Sequence, residues 1–281
     1  MAGTPTYARR RLGSELRRLR LAVELSGEDA ADKCGWDKSK ISRVENARVS
    51  LSRHDLHVLC RLYDIDASAV GRLEAWLTDT RGPRWWAGYT DVISSAYEEL
   101  IELEGQASDI KSANANLVPG LLQCQSYATA VFGNGPMIPD PDRADALVEV
   151  RMKRQRILTR EEPVSLTAVI AESVLHCEIG GRQALADQLR HLLDVGQRQN
   201  VSIRVLPSSS TASAFIGGIT LFEFPEIDDL GALFIEYHGG MLVKDDDRDI
   251  RRSRRHLDYL FANALSEEST RQHIAARLKD L

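Results

Sequence analysis

Lys38, Ser39, Lys40, Ser42 and Arg43 crowd a single short stretch of the chain. Cations and hydroxyls at this density hold phosphate oxygens and base edges. Ammonium and guanidinium groups neutralise backbone charge, and an arginine can address a guanine through two parallel hydrogen bonds. The other reactive side chains are scattered. His54 and His57 lie three apart on one helix with no third ligand nearby, so a surface or packing role is expected. Cys34, Cys60, Cys124 and Cys177 form no C-x-x-C pair and read as buried, reduced thiols, neither a disulfide framework nor a zinc site. Asp245, Asp246, Asp247 and Asp249 precede a helix carrying Arg251, Arg252, Arg254 and Arg255. That order complements a helix dipole more simply than it binds a metal. Glu172, His176 and Cys177 are close in sequence, yet nothing orients a nucleophile–base pair. No nucleophile elbow, phosphate loop, dinucleotide fingerprint or H-E-x-x-H is present, so neither catalysis, a cofactor nor a metal is expected.

The elements around the cationic stretch give it a purpose. Gly35 supplies a tight turn, Asp37 is a good N-cap, and Ile41 and Val44 give the helix 37–46 one apolar edge. Lys38, Ser39, Lys40, Ser42 and Arg43 remain outside, with Arg48 just beyond, in the pattern of a helix that enters a DNA major groove. Upstream, Leu12, Leu16, Leu19 and Val23 predict a helix through Gly13–Leu25. Ser26 caps a short helix, Gly27–Cys34, with Ala30 and Ala31 inward. Downstream, Ser52-Arg53-His54-Asp55 starts a fourth helix with Leu56, Leu59, Cys60 and Leu62 behind it. Val70, Leu73, Trp76 and Leu77 mark a fifth. Residues 10–80 thus read as a mainly α, five-helix, DNA-binding domain.

Charge is distributed accordingly. Residues 1–53 hold twelve Lys/Arg against seven acids, a net +5, which leaves −10 for the remainder of a chain whose total is −5. A basic head on an acidic body presents one end to DNA and repels it elsewhere. No apolar run approaches the roughly 20 residues that span a bilayer, and the N-terminus lacks a signal-peptide core, so a cytoplasmic location without membrane contact is expected.

Residues 81–281 read as an α+β domain. Arg81-Gly82-Pro83-Arg84 is a breaker, after which Trp85-Trp86 open the second domain. A helix over Tyr89–Glu104 places Glu98, Glu99, Glu102 and Glu104 on its polar side. Asp109–Val118 is extended, Leu121–Phe132 a helix, Gly133–Pro141 a loop and Ala144–Thr159 a charged helix. Short strands over Val164–Ile170, Val201–Leu206, Ile219–Phe224 and Leu233–Tyr237 predict a small, mostly antiparallel sheet. Helices over Gln183–Gly196, Asp246–Ala264 and Glu267–Leu281 complete the domain. Three features fit a docking or sensing surface: Pro119–Gln123 ahead of an apolar helix, Gly217-Gly218 where backbone can approach closely, and the aromatics Phe215, Phe222, Phe224, Phe234 and Tyr237. The ordinary alternative for the aromatics is plain core.

Leu12-Gly13-x-x-Leu16-Arg17-x-Leu19-Arg20, Leu25-Ser26, Ala31, Gly35 and Ser39-x-Ile41-Ser42-Arg43-x-Glu45 resemble the Xre, phage-repressor type of helix-turn-helix. The resemblance implies that Arg20 pairs with Glu45 and clamps the first helix to the recognition helix. The sequence departs from the family at Gly27, where Gln is usual, at Ala30, where a large aliphatic is usual, and at Ala47, where Gly is usual. Leu117–Gln123, Tyr127-Ala128, Arg151-x-x-Arg154-Gln155-x-Ile157-Leu158, Glu172, Gln188-Leu189-x-x-Leu192, Val201–Pro207 and Ala264–Ser269 resemble the C-terminal domain of actinobacterial Xre-type regulators described as WhiJ-like or antitoxin-like. That resemblance implies a regulator whose gene neighbours one for a small acidic partner protein. Arg151 and Arg154 are the candidates to grip that partner; the ordinary alternative is a solvated helix face.

The combined expectation is a transcription regulator that binds double-stranded DNA as a homodimer and receives a signal, from a small-molecule effector or the partner, through its C-terminal domain. The alternative is an antitoxin-like module whose main output is partner capture, with DNA binding secondary or autoregulatory. The cationic face favours the first reading; Gly27 and Ala30 favour the second.

Overall fold

In the computed structural model of the protein the described residues are 7–77, 84–133, 141–225, 231–237 and 240–281. The breaker residues 81–83 and the loop residues 134–140 fall outside them. The chain divides into two compact units, Met1–Ala87 and Gly88–Leu281.

The N-terminal unit consists of α1 (Tyr7–Ala22), α2 (Gly27–Cys34), α3 (Lys38–Glu45), α4 (Arg53–Leu62) and α5 (Ala67–Leu77). Its caps are local and strong. The Ser26 hydroxyl accepts the Asp29 N–H while the Asp29 carboxylate accepts the Ser26 N–H, closing a capping box on α2; Asp37 and Ser52 cap α3 and α4. One core gathers Leu12, Leu16, Ala30, Ala31, Ile41, Val44, Leu56, Leu59 and Leu73 from all five helices. α1 starts at Tyr7, which is itself buried, earlier than the leucine series implied. Arg11 lies over the Trp76 ring at 4.0 Å, packing α1 against α5.

Glu74 of α5 receives hydrogen bonds from Arg53 (2.7 and 3.1 Å) and lies beside the His57 ring, so His57 serves to join α4 to α5. The hydrogen bonds from Arg53 and His57 hold its carboxyl at about 2, against an ordinary 4.5. A carboxyl depressed on folding stabilises above its unfolded pKa, and that contribution is lost as pH falls towards the folded value. Glu74→Gln should therefore lower the melting temperature of this unit at neutral pH. The difference from wild type should shrink between about pH 4.5 and about pH 2, as a pH series of thermal melts would show.

The C-terminal unit is built on a six-stranded mixed sheet in the order β3-β2-β1-β4-β5-β6. The strands are β1 (Asp109–Asn114), β2 (Ser165–Ala171), β3 (Val201–Leu206), β4 (Ile219–Glu223), β5 (Ala232–Tyr237) and β6 (Gly240–Lys244). Between and around them run α6 (Ser95–Gln106), α7 (Gln125–Gly133), α8 (Pro141–Arg154), α9 (Arg182–Val195), α10 (Asp247–Asn263) and α11 (Glu267–Lys279). The sheet is larger than the sequence implied and mixed: β1–β4, β4–β5 and β5–β6 are antiparallel, the majority that the sequence predicts, while β1 pairs β2 and β2 pairs β3 in parallel. The cause is connection length. α7 and α8 lie between β1 and β2, and α9 between β2 and β3, long enough for parallel crossovers. α10 crosses one face, burying Ile250, Leu257 and Leu260 against Ala113, Val169, Leu221 and Leu233. Ile110, Leu166, Ala168 and Ile170, on the opposite pleat, are buried as well. Asp246 caps α10, accepting from the Arg248 and Asp249 N–H groups, and Asp249 pairs with Lys244, so the aspartate run serves the helix start.

β3 is an end strand of the sheet, and the segment leading into α11 lies along it. The Leu265 N–H donates to the Val205 carbonyl (2.8 Å), and the Val205 N–H donates to the Thr270 hydroxyl (3.0 Å).

Candidate nucleic-acid interface

α2 and α3 form the turn that aims the cations. Gly35 ends α2 at φ +66°, a left-handed conformation that costs other residues about 1–2 kcal/mol. Its N–H and that of Trp36 close the last turn of α2 onto the Asp32 and Ala31 carbonyls. The Asp37 carboxylate then accepts the Ser39 N–H at 2.9 Å and starts α3.

Ile41 and Val44 are buried, and each contributes roughly 1.5–3 kcal/mol by leaving water. Arg20 of α1 meets Glu45 at the end of α3 through two parallel hydrogen bonds, Nε to Oε1 at 2.6 Å and a terminal nitrogen to Oε2 at 2.9 Å. Its remaining nitrogen donates to the Leu25 carbonyl at 2.7 Å. The two side chains are 9% and 8% exposed. A buried pair nets less than the apolar edge, so Ile41 and Val44 hold α3 down while the ion pair fixes its rotation.

A close approach completes the docking. A Cβ on Gly13 would lie 2.5 Å from the Glu45 carbonyl oxygen and 2.8 Å from that of Val44. Both are backbone atoms that cannot swing aside, so α1 reaches α3 only through glycine. Gly13→Ala should destabilise this unit by about 1–3 kcal/mol and weaken DNA binding with it. A Cβ on Gly27 meets only Ile41 Cγ2, at 3.9 Å, so Gly27→Ala should be neutral or stabilising. Paired chemical-denaturation curves of the two variants test the contrast.

Lys38, Ser39, Ser42 and Arg43 occupy the exposed side of α3. Lys38, 69% exposed, touches Glu28, an exposed partner it can leave. Arg43 donates weakly to the Ser39 carbonyl at 3.3 Å. Arg48, also exposed, follows Ala47, a buried alanine at φ +56°. That backbone suits the glycine usual in the resembled family. Lys40 departs from the expectation: its Nζ lies 3.8 Å from the Trp36 ring centre and bonds Asp55 of α4 at 3.0 Å. It faces the body of the unit and braces α3 against α4, because a lysine beside an indole face and a carboxylate gains more inside than in water.

The C-terminal unit revises several expectations. Arg154 is only 5% exposed; it forks onto Glu104, 4% exposed, at 2.8 and 2.5 Å, and donates to the Tyr97 hydroxyl at 2.5 Å. It is an internal strut, out of a partner's reach. Glu104 and Glu102 are both buried and not on a solvated face. Arg151, half-buried, donates to Gln123 at 2.9 Å with its guanidinium over Phe132. Gln155 donates to the Gly120 and Gln123 carbonyls, and Gln188 spans the Leu122 carbonyl and the Cys124 N–H. Arg151, Gln155 and Gln188, singled out by family resemblance, thus converge on the buried loop 118–124; the two glutamines satisfy its backbone and Arg151 holds the Gln123 side chain. The loop is a knot inside the fold, not a docking surface. Gly218 approaches the protein's own β5, where its carbonyl accepts the Glu236 N–H. Phe222, Phe224 and Phe234 are core, whereas Phe215 and Tyr237 are exposed, so the aromatics line no common pocket. Of the cysteines only Cys60 is buried; Cys34 and Cys124 are half-buried and Cys177 is exposed. Burial pushes the Cys34 and Cys60 thiols up, away from reactivity.

Among the described residues no helix is long and apolar enough to cross a membrane. No curated protein and no solved structure matches the chain. Residues 11–73 match a family described as a helix-turn-helix domain, which is the domain of a DNA-binding regulator. Residues 97–276, well over half the sequence, match the family described as a domain of unknown function, DUF5753. With that match over its C-terminal unit and the helix-turn-helix built around α2 and α3 ahead of it, the chain belongs to the DUF5753 family.

Proposed function

We propose that the protein is a sequence-specific transcription regulator of the Xre type, with α3 in the major groove of double-stranded DNA. Lys38, Ser39, Ser42 and Arg43 contact bases and phosphates, and Arg48 contacts the flanking backbone. The observation that carries this reading is the division of α3: Ile41, Val44 and the Arg20–Glu45 pair lock one side, and the other offers only exposed cations and hydroxyls. The net +5 of residues 1–53 supports it. One such helix reads about half a site, so a homodimer on a two-fold operator is expected. Residues 10–80 act as the DNA-binding domain and 81–281 as the part that receives a signal.

Titration of the purified protein against its own promoter, at several salt concentrations, tests the reading. Arg43→Ala should cost roughly 1–3 kcal/mol and relax selectivity if Arg43 reads a base. Lys38→Ala should weaken all sequences alike and flatten the salt slope. Lys40→Ala should act through stability alone. If neither Arg43→Ala nor Lys38→Ala changes binding, α3 is not the reading helix.

A further inference from the structure

The turn that follows β2 meets a residue from far along the chain. Glu172 opens this turn, His176 closes it, and His273 reaches it from α11. One ligand-capable atom from each lies within 4.8 Å of the other two. Glu172 Oε1 is 2.9 Å from His273 Nε2, and its other oxygen accepts the Ser208 N–H at 2.8 Å. The carboxylate is therefore oriented by a backbone donor, as ligating carboxylates are. An ion pair between Glu172 and His273 would account for two of the three groups. It leaves the second imidazole unexplained: His176 is exposed and makes no hydrogen bond or ion pair among the described residues, yet points its ring into the same space.

We propose that Glu172, His176 and His273 bind one Zn2+, which fastens α11 to the turn after β2. Two imidazoles and one carboxylate are a ligand set that zinc accepts. Bonds of about 2.1 Å in tetrahedral geometry place ligand atoms roughly 3.4 Å apart, a closure that side-chain rotation supplies from the observed spacing. The fourth position is left to water. Arg277, one turn further along α11, donates to the Leu175 carbonyl at 3.2 Å, so helix and turn are already in register before the ion arrives. The site lies wholly within the C-terminal unit and is independent of the DNA-binding reading.

The test uses the tag-free full-length protein, stripped with chelator and titrated with Zn2+ against a chromogenic competitor. One equivalent per chain should bind, with a Kd in the micromolar range or tighter. His176→Ala and His273→Ala should each weaken binding at least tenfold, with the far-ultraviolet circular dichroism of the metal-free protein unchanged. Glu172→Gln, which keeps the shape and an acceptor for Ser208, should do the same and decides the matter if a histidine variant fails to fold. Cys177→Ser and His57→Ala should bind as wild type. Substituted Co2+ should show ligand-field absorption without a thiolate charge-transfer band. Absence of saturable uptake by the wild type, or uptake that both histidine variants and Glu172→Gln retain, would overturn the assignment.

Discussion

Glu45→Ala is expected to destabilise the N-terminal unit by about 3 kcal/mol and to remove operator binding at the same time. Truncation leaves the Arg20 guanidinium nearly enclosed, with only the Leu25 carbonyl to receive its hydrogen bonds. An uncompensated buried charge costs roughly 3–5 kcal/mol, and the lower end applies because the pair retains slight exposure. For a small unit this is a large share of total stability. Trp36 and Trp76 pack against the core of this unit, so in a background with Trp85 and Trp86 replaced by Phe, tryptophan fluorescence during urea unfolding reports it. Replacing both partners with apolar residues, Arg20→Met with Glu45→Leu, should recover much of the stability. Binding should not recover to the same degree, because the apolar pair no longer fixes the rotation of α3. A loss below about 1 kcal/mol for Glu45→Ala would mean that Ile41 and Val44 alone orient the helix.

The second large effect belongs to Glu104→Ala, expected to cost the C-terminal unit about 3–5 kcal/mol. Arg154 would then keep a charge in the interior with the Tyr97 hydroxyl as its one remaining partner among its described hydrogen bonds. In the same background the readout is reversed: the circular-dichroism transition should fall in temperature while the tryptophan transition stays in place. The converse variant, Arg154→Ala, should cost a similar amount and should be indistinguishable in folding terms. This separates an internal strut from a surface contact, whose loss would leave both transitions unmoved.

Much of the N-terminal unit was legible in the sequence because its signals are local. Ser26, Asp37 and Ser52 are caps whose partners lie two or three residues away, and Gly35 ends α2 by its own backbone conformation. The exposed face of α3 followed from the positions of Ile41 and Val44. The place of Lys40 is not legible in α3 itself, because its partners, Trp36 and Asp55, come from the preceding turn and from another helix. The C-terminal unit was less legible for the same reason. A helical pattern assigns Glu104 and Arg154 to water by residue type, and only their tertiary pairing brings them inside. β6 carries no strand signal in the sequence, because Gly240–Lys244 has a glycine, a lysine and three apolar residues but no alternation. The parallel strand pairs depend on how long connections return, which strand composition does not encode. Glu172, His176 and His273 come together only when α11 folds back onto the turn after β2.

The way α11 meets β3 also bears on how the protein behaves at high concentration. In a parallel strand pair both polar groups of alternate residues point away from the neighbour, and an uncovered end strand is a template for other chains. Val205 is such a residue, and both its donor and its acceptor are occupied by the chain itself. Val201, Ile203 and Val205 are apolar and β-branched, the composition that joins intermolecular sheets most readily. The seam formed by Leu265 and Thr270 therefore acts as a guard against aggregation: conditions that loosen α11 would bring insolubility well before the core of the sheet unfolds.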